Sequence, residues 1–412
     1  MKELELDGSP EDVGMDAARL ARIGPYFDEF VRSGRLSGWL ATVARSNKLV
    51  WTGSGGHRDR ERSLAVTDDT IWRLFSMAKP ITVVAAMMLY EEGHFDLNDD
   101  VGRWIEELRE PRVYVSGPAM APVTRPAREP VRVIHLLTHT AGLTYGFQHL
   151  TPVDEIYRTK GYDEMLQSYP PGIDLAGAVR DWCSAPLLFE PGSAWNYSVA
   201  TDVIGRLIEI WSGQRLDEFI EERILGPLSM SDTEWFCPEE KWDRLAMLYV
   251  NVSGQALPVA EIASVATRPP AFFAGGGGLV STARDFQRFM SMLVGGGEVG
   301  GVRYLSRRTL ALMTKNNLPG GHTLADFALD SFSEVGQTGV GYGLGFSVVA
   351  DQVSNRSLVS TGSFAWGGAA STYFWVDPAE ELAVAFYAQL LPSTSYPIRR
   401  GLQQFVYSSL VS

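Results

Sequence analysis

Apolar residues recur at Ala17, Leu20, Ile23, Phe27 and Phe30 after the Ser9-Pro10-Glu11-Asp12 start, a helical spacing that predicts an amphipathic first helix running to about Ser33. The pattern then changes. Trp39 to Ala44 and Leu49 to Thr52 are strand-like runs on either side of the polar stretch Arg45-Ser46-Asn47-Lys48, the layout of an antiparallel hairpin. Ile71 to Phe75 is bulky and extended in character, whereas Ile81 to Tyr90 is an unbroken apolar stretch long enough for a buried helix ending near Gly93.

From about residue 81 to about 180 the chain reads as helices separated by long Pro- and Gly-containing loops, notably Glu110-Pro111 through Glu129-Pro130 and Ser168 through Gly172. Thr201 is placed to cap a helix carrying Val203, Ile204, Leu207, Ile208 and Trp211. Thr282 with Asp285 has the form of a capping box before Phe286, Phe289, Met290 and Leu293. Strands return at Leu344 to Val349, Ala370 to Val376 and Leu382 to Tyr387, and a last helix covers Ile398 to Leu410. Two early and three late strands predict an α+β fold: one antiparallel sheet of at least five strands, flanked by terminal and central helices. Residues 1–80 and 181–412 would form the sheet domain and 81–180 an inserted helical domain, with a cleft between them.

A chain of 412 residues buries roughly three quarters of its unfolded surface, enough for a large core. Its formal charge of −13 argues against nucleic-acid or anionic-membrane partners, which demand a basic footprint. Cys183 and Cys237 are too few for a disulfide framework and lack metal-ligand spacing, so they read as ordinary thiols in a reducing compartment. The acidic start Met1 to Asp7 has no apolar signal core, and no later stretch has the uninterrupted apolar length of a membrane span; cytoplasmic residence is expected. No cofactor or metal is expected, and the oligomeric state is open.

The candidate chemistry begins at Ser76-Met77-Ala78-Lys79, where the extended run gives way to the apolar helix. If Ser76 opens that helix, Lys79 lies one turn later on the same face, within reach of the serine oxygen. Pro80 is tolerated because first-turn amides have no intrahelical partner to lose, and those amides favour developing negative charge. A serine hydroxyl needs a base to become a nucleophile, and a lysine serves if its environment lowers its ammonium pKa. No other lysine has a serine three positions before it. Short motifs arise by chance, so the surroundings decide. Tyr197 follows the turn Glu190-Pro191-Gly192-Ser193 and offers a second hydroxyl for proton relay. Thr361 to Ala369 carries the pair Gly367-Gly368 just before a predicted strand, where backbone amides can approach a substrate oxyanion; a β-bulge is the plainer alternative.

The order Ser76-Met77-Ala78-Lys79, Tyr197-Ser198-Val199, Trp366-Gly367-Gly368 resembles the serine β-lactamase and penicillin-binding-protein superfamily, and within it the family VIII carboxylesterases related to class C β-lactamases. The similarity continues through His135 to Leu143 and Gly275 to Thr282, so it covers nearly the whole chain. It implies a β-lactamase-like fold with Ser76 as acylated nucleophile, Lys79 as its base or proton shuttle and Tyr197 as the partner exchanging protons with attacking and leaving oxygens. It further implies the Ser76 and Ala369 amides as oxyanion donors. Trp366 stands where β-lactamases have the lysine of Lys-Thr-Gly, and Val199 where they usually have the asparagine of Tyr-x-Asn. Both departures disfavour β-lactams, and neutral walls suggest uncharged acyl esters; the expected substrates are esters of neutral, short-chain acyl groups. Tyr145, Trp366, Gly367, Gly368, Phe272 and Phe273 are the expected substrate-pocket residues, and a small-molecule ester is the expected partner.

Transfer to an alcohol or amine instead of water, weak β-lactam or D-amino-acid peptide hydrolysis, and a non-catalytic binding role are the alternatives. No Gly-x-Ser-x-Gly elbow accompanies His139 to support a Ser-His-Asp reading, and the resemblance implies that its His139-Thr140-Ala141-Gly142-Leu143 segment is structural, holding the loop that leads into Tyr145. His135 and His139 lack a third metal ligand. The Gly275 to Gly278 run lacks the Lys-Ser/Thr of a phosphate loop and reads as a close approach to the cleft.

Overall fold

The computed structural model describes residues 4–165, 168–329, 336 and 338–411; the first three residues of the acidic start lie outside them. An eight-stranded sheet organises the α+β fold. Its strands are β1 (Gly38–Arg45), β2 (Lys48–Asp59), β3 (Leu64–Ala65), β4 (Val340–Tyr342), β5 (Ser347–Val349), β6 (Phe364–Gly367), β7 (Tyr373–Asp377) and β8 (Leu382–Tyr387). The order is β4-β5-β6-β7-β8-β1-β2-β3, and every neighbouring pair is antiparallel. Pairing of β1 with β8 joins the two ends of the chain. The β1–β2 turn sits at Ser46 and Asn47, both left-handed (φ 49° and 60°), the conformation that matches the twist of a tight hairpin.

Both faces of the sheet are covered, and period-two alternation sorts the side chains. On β8, Leu382, Val384 and Phe386 join Phe27, Phe30, Leu402 and Val406 of the terminal helices in one core. Ala383, Ala385 and Tyr387 face the second, larger core, beneath the remaining helices. There the helix Lys79–Glu91 is buried at every position from Lys79 to Leu89, as its all-round apolar sequence demands. It packs against the helix Ala200–Ser212, which also rests on Val133–Leu137 and Leu175–Cys183, so the helical layer expected at 81–180 takes in a later helix as well.

Several sequence expectations need correction. The first helix is broken into Pro10–Val13, Ala17–Leu20 and Ile23–Arg32, with Gly14 in the left-handed region (φ 71°) ending the first piece. Thr201 lies inside its helix, after the N-cap Val199. Thr282 does cap, accepting from the Asp285 amide at 3.2 Å. The Asp285 carboxylate turns away to Asp232 N (2.7 Å) and Thr233 Oγ1 (3.1 Å), so the box is not reciprocal. The late strands start farther along than expected, at Ser347 and Tyr373, because Gly345 (φ 81°) and Ser371 (φ 70°) hold turns before them. The loop expected between 110 and 130 contains a hairpin, Arg112–Ser116 with Val123–Pro126.

Candidate active site

The strand Ile71–Arg73 leads into the nucleophile and pairs antiparallel with Val280–Thr282, outside the main sheet. Leu74 N continues the pairing to Leu279 O at 2.9 Å. Phe75 then takes φ 49°, a left-handed conformation that a bulky residue holds only where its surroundings dictate it. A single 3₁₀ turn, Phe75–Ala78, follows, and the α-helix proper begins at Lys79. Ser76 therefore precedes the helix by one turn instead of opening it. The three-residue spacing still closes the pair: Lys79 Nζ donates to Ser76 Oγ at 3.2 Å and to Gly276 O at 2.5 Å. Ser76 is half-buried, and Lys79 is 1% exposed.

The strand pairing is also what delivers the glycine run to this point. Gly276 N donates to Asp202 Oδ1 (2.8 Å), and Thr82 Oγ1 donates to Gly275 O (2.7 Å). A Cβ on Gly276 would lie 2.5 Å from Asp202 Oδ2, closer than a real Cβ contact allows. Asp202 is buried in the first turn of Ala200–Ser212. Burial raises its pKa, while the Lys79 charge and the Gly276 amide pull it down. Sequence reading missed this carboxylate; its only signal is an acid five positions after Tyr197 in an otherwise apolar helix start.

Tyr197 is 1% exposed and packs among aromatic rings, with centroids 5.0 Å from His139, 5.3 Å from Tyr145 and 5.5 Å from Trp366. Lys79 Nζ lies 4.8 Å from the Tyr197 ring centre and 5.5 Å from that of Tyr145. His139 is buried with φ 55°, its Nδ1 3.2 Å from Ser198 Oγ, and Asn196 N donates to its carbonyl at 3.0 Å. Burial, and after it the Lys79 charge, hold its imidazole well below the ordinary pKa. It is a neutral ring packed edge-on to Tyr197. His135 accepts from Arg132 N at 3.1 Å, and burial pushes it down to about 4. Among the described residues no group of three or more His, Cys, Asp or Glu could hold a metal ion.

Ser76, Lys79 and Tyr197 open onto one cleft enclosing about 800 Å³ of atom-free space, part of it continuous with solvent. Tyr145, Phe272 and Ala369 are among the residues lining it. Trp366, Gly367, Gly368 and Phe273 are not. Trp366 is fully buried on the inner face of β6, edge-on to Tyr342 (5.3 Å). Phe273 packs instead on Trp235 (5.5 Å) and under the Arg215 guanidinium (4.9 Å). Gly368 works indirectly. Its Cβ would fall 2.1 Å from Leu74 O, so glycine lets the β6–β7 turn lie against the strand leading to Ser76, and this close approach brings Ala369 to the cleft. Phe75, Phe147, Tyr169, Trp235 and Glu164 also line the cleft; Phe75 and Phe147 sit in short 3₁₀ turns and the others in irregular segments.

The Beta-lactamase family model matches residues 25–407. Protein Rv1367c of Mycobacterium tuberculosis (strain ATCC 25618 / H37Rv) is 35% identical over 372 residues, covering 89% of each chain. Esterase EstB of Burkholderia gladioli is 32% identical over 425 residues, covering 97% of this chain and 98% of its own. Among solved structures, EstCE1, described as a hydrolase with promiscuous acyltransferase activity, superposes with a TM-score of 0.79 at 24% identity, over 96% of this chain and 98% of its own. A family match over nearly the whole chain, with relatives aligned over most of their own length, agrees with the resemblance carried by the motifs: the chain belongs to the Beta-lactamase family, beside its family VIII esterases.

Proposed function

We propose that this protein is a carboxylesterase that hydrolyses neutral, short-chain acyl esters through an acyl-enzyme on Ser76. The observation that carries this reading is the Lys79 Nζ to Ser76 Oγ contact of 3.2 Å at the floor of an aromatic-walled cleft. Ser76 Oγ attacks the ester carbonyl and gives its proton to the Lys79 and Tyr197 pair, and the tetrahedral oxyanion is held by the amides of Ser76 and Ala369. The alcohol leaves with the returned proton, and water then resolves the Ser76 ester by the same proton path. Neutral walls at Tyr145 and Phe272 favour uncharged acyl groups. The similarity to EstB across nearly the whole chain supports ester chemistry.

The sheet and helical portions meeting at this cleft, and residence in a reducing compartment with Cys183 and Cys237 as free thiols, belong to the same reading. Among the described residues, no helix is long and apolar enough to cross a membrane. The test is steady-state hydrolysis of p-nitrophenyl acyl esters of increasing length by wild type and Ser76→Ala, with and without added alcohol. Loss of turnover in Ser76→Ala, a short-chain optimum and free acid as the main product are expected. Undiminished turnover in Ser76→Ala overturns the nucleophile, and predominant ester exchange at low alcohol overturns hydrolysis in favour of transfer.

A further inference from the structure

One carboxyl group in the cleft has no part in the acyl-transfer steps. Glu164 lines the same space as Ser76, its Oε2 accepts from Gly146 N at 2.9 Å, and its Oε1 is buried without a hydrogen-bond partner. An orphaned carboxyl oxygen beside a substrate cavity costs stability unless a ligand satisfies it. Oε2 is occupied as an acceptor, so the acid's proton belongs on Oε1, the oxygen that lacks a partner.

We propose that Glu164 is a substrate-anchoring residue whose Oε1–H donates to a keto or ether oxygen carried by the ester some atoms away from the scissile carbonyl, making the protein selective for oxygenated over plain alkyl esters. The inference rests on the esterase reading and names its substrate class. The surroundings support a neutral, donating acid. Burial, then the nearby Asp202 and Asp163, push Glu164 up to about 8, against its own amide and that of Gly146. Among the described residues no cation forms an ion pair with it. Tyr145 on the preceding loop, Tyr157 on the helix Pro152–Thr159, and Tyr162 and Tyr169 on its own segment are all raised by burial and stay neutral. Arg158, on the same helix as Tyr157, spends its guanidinium on Gly146 O, and Lys79 is committed to Ser76 and Gly276. Arg268 lines the cleft from an exposed position and holds Ser264 Oγ at 3.1 Å.

The experiment compares p-nitrophenyl esters with a keto oxygen at successive positions of the acyl chain, and acetate esters with it along the alcohol chain, each against its desoxy partner. The readout is the ratio of kcat/KM within a pair. In wild type the best pair should favour the keto ester about tenfold below about pH 7, through KM, and this preference should collapse above about pH 9 as the carboxylate forms. Glu164→Gln keeps a donor that does not titrate, so its ratio should stay high and flat with pH. In Glu164→Leu the ratio should fall to about one. A wild-type ratio within about twofold of one at every position overturns the anchor while leaving the esterase intact. So does a pH-dependent ratio that is unchanged in Glu164→Gln. Absence of turnover of both members of every pair overturns the esterase reading beneath it.

Discussion

The cost of burying Glu164 predicts how stability varies with pH, independently of any substrate. In the folded chain this carboxyl titrates at about 8, against 4.5 for an ordinary glutamate. Between those values the folded state holds a proton that the unfolded chain has released, so unfolding releases a proton and stability falls as pH rises. The loss begins at the unfolded value, accumulates at about 1.4 kcal/mol per pH unit and stops above about pH 8. Glu164→Gln preserves the side-chain shape and the oxygen that accepts from Gly146 N, and it does not titrate. The variant should therefore gain on wild type progressively: near parity at about pH 4.5, and about 3 kcal/mol more stable at about pH 7 as an upper limit, since water entering the cleft screens the carboxylate. Urea unfolding of both proteins across this range, with free energies taken from the midpoint and slope, measures the difference. A difference that does not change with pH, or one that shrinks towards neutrality, refutes the reasoning, because either means the carboxyl is solvated or paired in the folded chain.

Other expectations follow from single contacts. Gly276→Ala places a Cβ 2.5 Å from Asp202 Oδ2, so either the Asp202 side chain or the glycine loop whose carbonyl holds Lys79 Nζ has to move; kcat for p-nitrophenyl acetate should fall about a hundredfold, and near-wild-type turnover would show that this packing does not position the amine. Thr282→Ala removes the cap on Ala283–Val294 and should cost about 1 kcal/mol in urea unfolding at constant slope. Cys183 and Cys237 are buried, and burial raises both thiols, Cys237 to about 11; neither should react with a disulfide reagent until the chain is unfolded.

The parts of the fold legible from sequence are those with a long, clean period. The β1–β2 hairpin, β8 and the Lys79–Glu91 helix stand where the apolar pattern puts them, because each buries a continuous face. Strands β4 and β6 were invisible. They are only three or four residues long, and glycines in and around them erase the alternation. Thr201 failed as a cap because the Asn196-to-Val199 segment, with Val199 N held by Thr144 O (3.1 Å), already sets the helix start. In the site, Ser76 and Lys79 were readable because their geometry is local to one turn. Trp366 lies in the core because the period of β6 turns it inward, and β6 is a strand the sequence does not reveal. Asp202 and Glu164 were missed for a related reason: what makes a carboxyl significant there is burial beside a distant loop.

The central claim is best tested by rapid-quench mass spectrometry of the protein mixed with a p-nitrophenyl acyl ester. One acyl group per chain should appear on the peptide carrying Ser76 before steady state and decay as free acid accumulates, and it should be absent from Ser76→Ala. An adduct on a different residue, or steady turnover in Ser76→Ala, would contradict the account.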